Sequence, residues 1–245
     1  MKTEPLIEVS LSEIVATRSR LNGAIFRTPC TESAALSELT GARIFCKQEH
    51  LQRTGSFKER GARNALAKLP AVQASAGAIA ASAGNHALGL AWHGRLLAIP
   101  VTVVMPRFAP MVKVARCRQL GAEVVLQGDS FDEARIEADR LAKERELTYI
   151  HPFDDPDVIA GQGTLGFEIL EQIPDCDAIL VPVGGGGLLS GTAIVLQALK
   201  PSVEIIGVEP RNASCFAAVR QPENRFGFRQ SSRLRTGWRS PKRAI

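Results

Sequence analysis

Short apolar segments alternate with longer amphipathic segments along most of this chain of 245 residues. The predicted strands lie at residues 43–47, 77–81, 101–105, 123–126, 149–150, 178–183 and 204–208, and the predicted helices lie at residues 10–21, 56–69, 84–93, 113–120, 131–146, 163–172 and 188–199. Strands that alternate with helices in this way are typical of a parallel sheet covered by helices on both faces. The pattern therefore predicts an α/β fold up to about residue 210, where the periodicity fades.

The composition fits such a fold and argues against several other classes of protein. Hydrophobic residues make up 45% of the chain and charged residues 22%, as in an average globular protein. The five cysteines are widely spaced and form no CxxC motif, which argues against a zinc ribbon or a disulfide scaffold. The N-terminus has no secretory pattern, and no apolar run approaches the roughly 18 residues that span a bilayer. The sequence thus predicts a cytoplasmic protein without membrane attachment.

The net charge of +5 is concentrated at the C-terminus. Residues 221–245 contain seven Lys or Arg residues and one acid, Glu223, so this segment carries +6 and residues 1–220 carry −1. Two interpretations of the segment are open. It is either a basic arm for nucleic acid, with aromatic residues between its arginines, or a segment foreign to the rest of the fold.

Four consecutive glycines, Gly184, Gly185, Gly186 and Gly187, follow a strand that the sequence predicts to be buried and open the next predicted helix. Their bare backbone N–H groups at a helix N-terminus form a natural cradle for phosphate. No Gly-Lys-Ser/Thr follows, as a P-loop requires, and Leu189 breaks the GxGxxG spacing. The segment therefore favours a phosphate monoester over a dinucleotide, and the alternative is a flexible loop.

Two further segments place polar groups at predicted helix starts. The small residues of segment 82–86 lead into a helix whose N–H groups suit a carboxylate, although Ser82 and Asn85 are also ordinary capping residues. Lys58 follows a Thr-Gly-Ser turn and lies beside Phe57 near a helix start. A lysine desolvated at that position is a better nucleophile toward aldehydes, whereas a single lysine is more commonly a solvated surface group.

Together these segments resemble a known family. The strings TGSFKERGA (54–62), SAGNH (82–86) and VPVGGGGL (181–188), in this order, resemble the fold-type II pyridoxal-phosphate enzymes. Further matches are Met105-Pro106, Ala109-Pro110 with Lys113, HPFDD (151–155), GQGT (161–164) and GVEP (207–210). Within that group the chain is most similar to threonine/serine dehydratases and their sister serine racemases, over roughly residues 10–215.

The resemblance implies an architecture and partners. It implies the two-lobed, open parallel-sheet fold of the tryptophan-synthase-beta-like enzymes, with pyridoxal 5′-phosphate between the lobes. The large lobe would comprise residues 1–74 and 156–220, and the small inserted lobe residues 75–155. The substrate would be a small hydroxy amino acid, and the protein would form a homodimer.

The resemblance also implies roles for individual residues. Lys58 would be the Schiff-base lysine and the base at the substrate Cα. Phe57 would pack against the cofactor ring, Asn85 would bond its hydroxyl, and the cofactor phosphate would lie against Gly184, Gly185, Gly186, Gly187 and Leu188. The pocket for the substrate carboxylate would comprise Ser82, Ala83, Gly84, Asn85 and His86. No metal site is expected, because Cys215 stands where the related enzymes place a carboxylate near Glu209.

The implied reaction is the dehydration and deamination of L-threonine, L-serine or both to a 2-oxo acid and ammonia. Racemases of this group carry a serine at the position of Ala83, which serves as a second acid/base. Alanine cannot move a proton, so the sequence predicts dehydration over a racemase-like isomerisation.

Family members are longer than this chain, so the sequence predicts a large lobe that is incomplete at its C-terminus. Residues 221–245 are accordingly predicted to be a non-family basic tail, because a nucleic-acid arm would be appended to a complete fold. No nucleic-acid partner is therefore predicted. Two functional hypotheses remain: an active dehydratase, or a non-catalytic remnant that at most binds pyridoxal phosphate weakly.

Overall fold

The computed structural model describes residues 8–214 and residue 216. Its strands are β1 (Cys30–Glu32), β2 (Phe45–Lys47), β3 (Ala78–Ala81), β4 (Val101–Met105), β5 (Glu123–Leu126), β6 (Thr148–Tyr149), β7 (Ala178–Pro182) and β8 (Glu204–Val208). Its α-helices are α1 (Leu11–Leu21), α2 (Ala34–Thr40), α3 (Lys58–Ala67), α4 (Ala71–Ala76), α5 (Asn85–Leu97), α6 (Met111–Gln119), α7 (Phe131–Glu144), α8 (Pro156–Gln172) and α9 (Gly187–Leu199). Residues 1–7 and 217–220 of the predicted large lobe, Cys215, and the predicted basic tail 221–245 lie outside the described part.

A four-stranded parallel sheet has the order β5-β4-β3-β6. Every residue of β3 and β4 is buried, and alternate residues contribute to two separate apolar clusters. Ala78 and Ala80 pack with residues of α5, whereas Ile79 and Ala81 pack with residues of α7. Helices therefore cover both faces of this sheet, as the alternating pattern predicted.

The remaining described strands form two smaller sheets. Strands β1 and β2 form an antiparallel pair, and β7 pairs in parallel with β8. The sequence pattern identified β2 but not β1, α2 or α4, because these elements are short and show little periodicity.

Helix α8 begins seven residues earlier than the sequence predicted. Asp155 caps it by accepting hydrogen bonds from the N–H groups of Asp157 and Val158, and Pro156 occupies its first turn. The glycines within α8 allow close helix packing. A Cβ atom at Gly161 would lie 2.5 Å from the Cα atom of Gly61 in α3.

Strand β7 differs from the buried strand that the sequence predicted before the glycines. Val181 is buried, but the side chain of Leu180 is 63% exposed. Within the described residues β7 bonds to β8 alone, and a cavity of about 890 Å³ separates it from β2. Within the described part of the chain, the apolar side chain of Leu180 is therefore uncovered and one edge of β7 is unpaired.

No helix among the described residues combines the length and the apolar character that crossing a membrane requires. The small four-stranded sheet lies within residues 78–149, and the other two sheets are formed by residues before and after it. The exact lobe boundaries at residues 75 and 155 stay a prediction.

Candidate active site

Lys58 is the first residue of α3, and its side chain is largely removed from water. Its Nζ atom donates a hydrogen bond to the carbonyl oxygen of Pro152 at 2.6 Å and lies 5.3 Å from the centre of the Phe57 ring. No carboxylate of the described residues pairs with it within 4 Å. Desolvation by burial lowers the pKa of Lys58 to about 8. A much larger fraction of this amine is therefore uncharged near neutral pH than for an exposed lysine.

Buried ion pairs fix the first turn of α3. The guanidinium of Arg60 donates hydrogen bonds to Glu49 and Glu168, and Lys47 also pairs with Glu168. Burial opposes the charge of Arg60, but the bonds and charges of these two carboxylates outweigh it and raise the Arg60 pKa. The positive charges of the two basic side chains thus balance the negative charges of the two carboxylates. Removing one member would leave an uncompensated buried charge two residues from Lys58.

Segment 82–86 connects the end of β3 to the start of α5. The hydroxyl of Ser82 accepts a hydrogen bond from the N–H of Gly84 at 3.2 Å. Ala83 and Gly84 are half-buried, and Asn85, the first residue of α5, is exposed. The first N–H groups of a helix have no partner within the helix, so this segment presents donors at the carboxyl end of β3.

His86 is buried at the start of α5, with 2% of its surface exposed. Its Nε2 atom lies 3.1 Å from the carbonyl oxygen of Ile150. Because a carbonyl oxygen accepts, Nε2 carries the proton and donates it. Burial, and next the charge of Lys58, lower the pKa of His86 to about 3. The ring is therefore neutral at physiological pH.

The glycine loop leads from β7 into α9. Gly186 has a φ of 88°, and Gly187 begins the helix. A Cβ atom at Gly185 would lie 2.0 Å from Cγ of Phe153, and one at Gly187 would lie 2.6 Å from the Phe153 carbonyl oxygen. The space beside Gly184 is open, with no atom of another described residue within 4 Å of a Cβ there. Glycine is thus required where the loop meets Phe153, and the loop keeps an open side.

The short segment 150–153 brings the three sequence motifs together. Ile150 accepts from His86, Pro152 accepts from Lys58, and Phe153 packs against Gly185 and Gly187. The sequence marked residues 151–155 as part of a family motif but predicted no role for them. Backbone acceptors such as the Pro152 carbonyl leave no residue-type signal, so only the structure reveals this link.

The other predicted site residues lie beside these. Ser82, Ala83, Gly84 and Asn85 share the loop of His86, and Phe57 precedes Lys58. The side chains of Phe57 and Leu188 also line the cavity of about 890 Å³ between β2 and β7. Among residues 8–214 and 216, no three His, Cys, Asp or Glu side chains are arranged to hold a metal ion.

This arrangement fits an aldehyde cofactor that carries a phosphate. The glycine loop is open beside Gly184 and leads into the N-terminus of α9, where backbone N–H groups can bind a phosphate. The amine of Lys58, with its lowered pKa, is the group that condenses with an aldehyde. Both contact segment 150–153.

A family model described as pyridoxal-phosphate dependent enzyme matches residues 21–244. The chain belongs to this family. An L-threonine ammonia-lyase from Thermotoga maritima is 46% identical over 214 residues, which are 87% of this chain and 53% of that protein. The structure of maize serine racemase is 35% identical with a TM-score of 0.84, and the match covers 86% of this chain and 64% of that one. The structure of threonine deaminase isoform 2 from Solanum lycopersicum is 39% identical with a TM-score of 0.76, and the match covers 86% of this chain and 61% of that one.

These similarities confirm the predicted resemblance and the α/β, fold-type II class of this pyridoxal-phosphate dependent enzyme. Pyridoxal phosphate is the family's cofactor, as the sequence predicted. The chain spans about half the length of the Thermotoga relative and less than two thirds of either structure. The roles of the individual site residues stay predictions.

Proposed function

We propose that this chain binds pyridoxal phosphate through Lys58 and dehydrates and deaminates L-threonine, L-serine or both to a 2-oxo acid and ammonia. The observation that carries the proposal is the half-buried, partly desolvated Lys58 amine. It has a pKa of about 8 and is bonded to Pro152, next to the Phe153 ring that packs on the glycine loop. The 46% identity to an L-threonine ammonia-lyase supports the reaction class.

In this proposal the protein's own residues bind and orient the reactants. Lys58 holds the cofactor and, when free, moves the proton at the substrate Cα, while Pro152 accepts a hydrogen bond from its amine. Backbone N–H groups of residues 184–188 bind the phosphate, Asn85 bonds the ring hydroxyl and Phe57 packs on the ring. The bound cofactor supplies the electron sink that makes the Cα proton removable.

The substrate carboxylate lies against Ser82, Ala83, Gly84, Asn85 and His86 in this proposal. His86 is neutral and its Nε2–H is engaged by Ile150, so its ring orients the segment rather than supplying charge. Ala83 offers no proton donor or acceptor on its side chain, which favours elimination over racemisation. The homodimer, the cytoplasmic location and the lack of a nucleic-acid partner are part of the same proposal, and they rest on the family resemblance and the sequence.

The first experiment is the visible absorption spectrum of the purified full chain with pyridoxal phosphate, followed by borohydride reduction and peptide mapping. We expect a visible band and a reduced label on Lys58. Lys58→Ala should abolish both, and Lys143→Ala, which changes an exposed lysine on α7, should leave both intact. A label scattered over surface lysines would instead support the non-catalytic remnant.

Assays with L-threonine and L-serine then test the reaction itself. Release of 2-oxo acid and ammonia in equal amounts is the expected result. Conversion of L-serine to D-serine at a rate that rivals ammonia release would overturn the predicted preference and favour the racemase-like alternative.

A further inference from the structure

Lys113 reaches the start of α5 from a neighbouring element. Strands β3 and β4 are adjacent and parallel, and the Ser82 N–H bonds to the carbonyl of Val104 at their carboxyl ends. The loop after β3 leads into α5, and the segment after β4 leads into α6, where Lys113 lies in the first turn. The topology therefore places Lys113 at the same sheet edge as segment 82–86.

The ammonium of Lys113 lies directly beside Gly84. A Cβ atom built at Gly84 would lie 3.8 Å from the Nζ atom of Lys113, and no other non-neighbouring atom of the described residues lies within 4 Å of that point. A carboxylate oxygen at this point would lie close to the backbone N–H groups at the start of α5. A small movement of the flexible Lys113 side chain brings its ammonium to the charge-assisted bonding distance of about 2.7–2.9 Å.

Lys113 has no counter-ion among the residues that the structure describes. It is half-buried, yet within residues 8–214 and 216 its ammonium makes no hydrogen bond or ion pair. The other half-buried lysines of the described residues, Lys47, Lys58 and Lys200, all have oxygen acceptors for their ammonium groups. A helix N-terminus carries a partial positive charge, so an unpaired ammonium beside it is unfavourable until an anion binds between them.

The charges of the side chains around segment 82–86 favour an anion at this position. His86, the titratable side chain of segment 82–86, is neutral, and the positive charge of Lys58 acts on the His86 ring. We propose that Lys113 supplies the counter-charge for the substrate's α-carboxylate, and that it thereby makes the site select amino acids over their uncharged derivatives. The inference rests on the proposed function and adds a substrate-binding residue to it.

The first test is the dependence of binding on the carboxylate. Lys113→Gln and Lys113→Arg are loaded with pyridoxal phosphate, and the spectrum of the bound cofactor is followed while L-serine or L-serine amide is added. Lys113→Gln should weaken L-serine binding about tenfold or more, the loss expected for one charge-assisted hydrogen bond, and should leave the amide unaffected. Lys113→Arg should restore most of the affinity, and Lys143→Gln is the matched exposed control.

Turnover separates this role from a structural one. Lys113→Gln should raise KM for L-serine far more than it lowers kcat, with an unchanged unfolding temperature. An equal loss for L-serine and its amide would overturn the proposal, because a carboxylate counter-charge cannot act on the neutral amide.

A second test does not depend on the proposed function. The full chain without cofactor is acetylated with trace acetic anhydride in the presence of propanoate, inorganic phosphate or chloride, and the labelling of each lysine is measured by mass spectrometry. Propanoate should protect Lys113 more than Lys143. Equal protection, or stronger protection by phosphate, would contradict the inference even if Lys58 binds the cofactor. Protection without any cofactor label on Lys58 would retain Lys113 as a carboxylate site and reject the proposed reaction.

Discussion

The carboxylate of Glu59 lies 3.5 Å from the ring of His93, Oε2 to Nε2, in the buried interface between α3 and α5. Glu59 is 1% exposed and His93 is 0% exposed. The other carboxylate oxygen of Glu59 accepts a hydrogen bond from the N–H of Thr54. Glu59 therefore ties the turn before Lys58 to the helix that begins beside His86.

Replacing Glu59 should loosen this turn. Glu59→Ala leaves the Thr54 N–H without its acceptor, and the free energy of unfolding should fall by about 1–3 kcal/mol. Glu59→Gln keeps an oxygen acceptor and should lose less. Chemical denaturation of the three proteins at neutral pH measures the difference. If Glu59→Ala and Glu59→Gln are equally stable, the Thr54 bond contributes little and the charge alone matters.

Buried histidines should make stability fall in acid. Burial lowers the pKa of His86 to about 3 and also lowers the pKa of His93 and His151. Below the ordinary histidine pKa of about 6.5, the unfolded chain takes up protons that the folded chain does not. The contribution of these histidines to the free energy of unfolding is therefore complete above about pH 6.5 and is lost as the pH falls. Each such histidine contributes a slope of about 1.4 kcal/mol per pH unit within its window.

Substitution at His86 tests the largest of these contributions. His86→Gln keeps a side-chain N–H for the Ile150 carbonyl but cannot titrate, so the decline in stability between pH 6 and pH 4 should become shallower by about one proton's slope. The exposed His50 provides the control, and His50→Gln should leave the decline unchanged. Urea denaturation at several pH values measures both. An unchanged slope in His86→Gln would show that this ring takes up a proton in the folded protein.

Much of the fold follows from the sequence. Strands β5 and β8 match their predicted bounds, because short runs rich in β-branched residues between turn residues have few alternatives. Helix α8 was predicted to begin at Gly163, seven residues too late, and the structure uses Gly161 and Gly163 for contacts with α3 and α9. Local patterns do not contain such tertiary contacts.

The candidate site likewise contains residues that the sequence indicates and contacts that only the tertiary structure reveals. Loop chemistry indicated the glycines as a phosphate site, the family resemblance indicated Lys58, and the roles of both stay predictions. The links of Lys58 to Pro152, of Glu59 to His93 and of Lys113 to Gly84 depend on which elements become neighbours. Residue spacing gives no measure of these distances, so they were not predicted.

The reactivity of Lys58 should rise at lower pH than that of a surface lysine. Since burial lowers its pKa to about 8, its amine should become half neutral near that pH rather than near 10.5. Trace acetylation at pH 6–11 with mass spectrometry gives a titration curve for each lysine of the chain without cofactor. The exposed Lys143 serves as the internal reference. Coincident curves for Lys58 and Lys143 would contradict the desolvated environment.

Gly185 and Gly184 form a matched pair for testing the glycine loop. In Gly185→Ala the new methyl group would lie 2.0 Å from the Phe153 ring, so the loop or the ring must move, and we expect a lower unfolding temperature without cofactor. Gly184→Ala places its methyl group in open space and should leave that temperature nearly unchanged.

A second-site change shows whether Phe153 causes the loss. Phe153→Ala removes the ring and should itself destabilise the chain, but adding Gly185→Ala to it should cost much less than in the parent chain. This non-additivity is measured by a double-mutant cycle of unfolding free energies. Additive losses would mean that Gly185 is needed for its backbone conformation, and that its contact with Phe153 does not join the glycine loop to the segment holding Lys58.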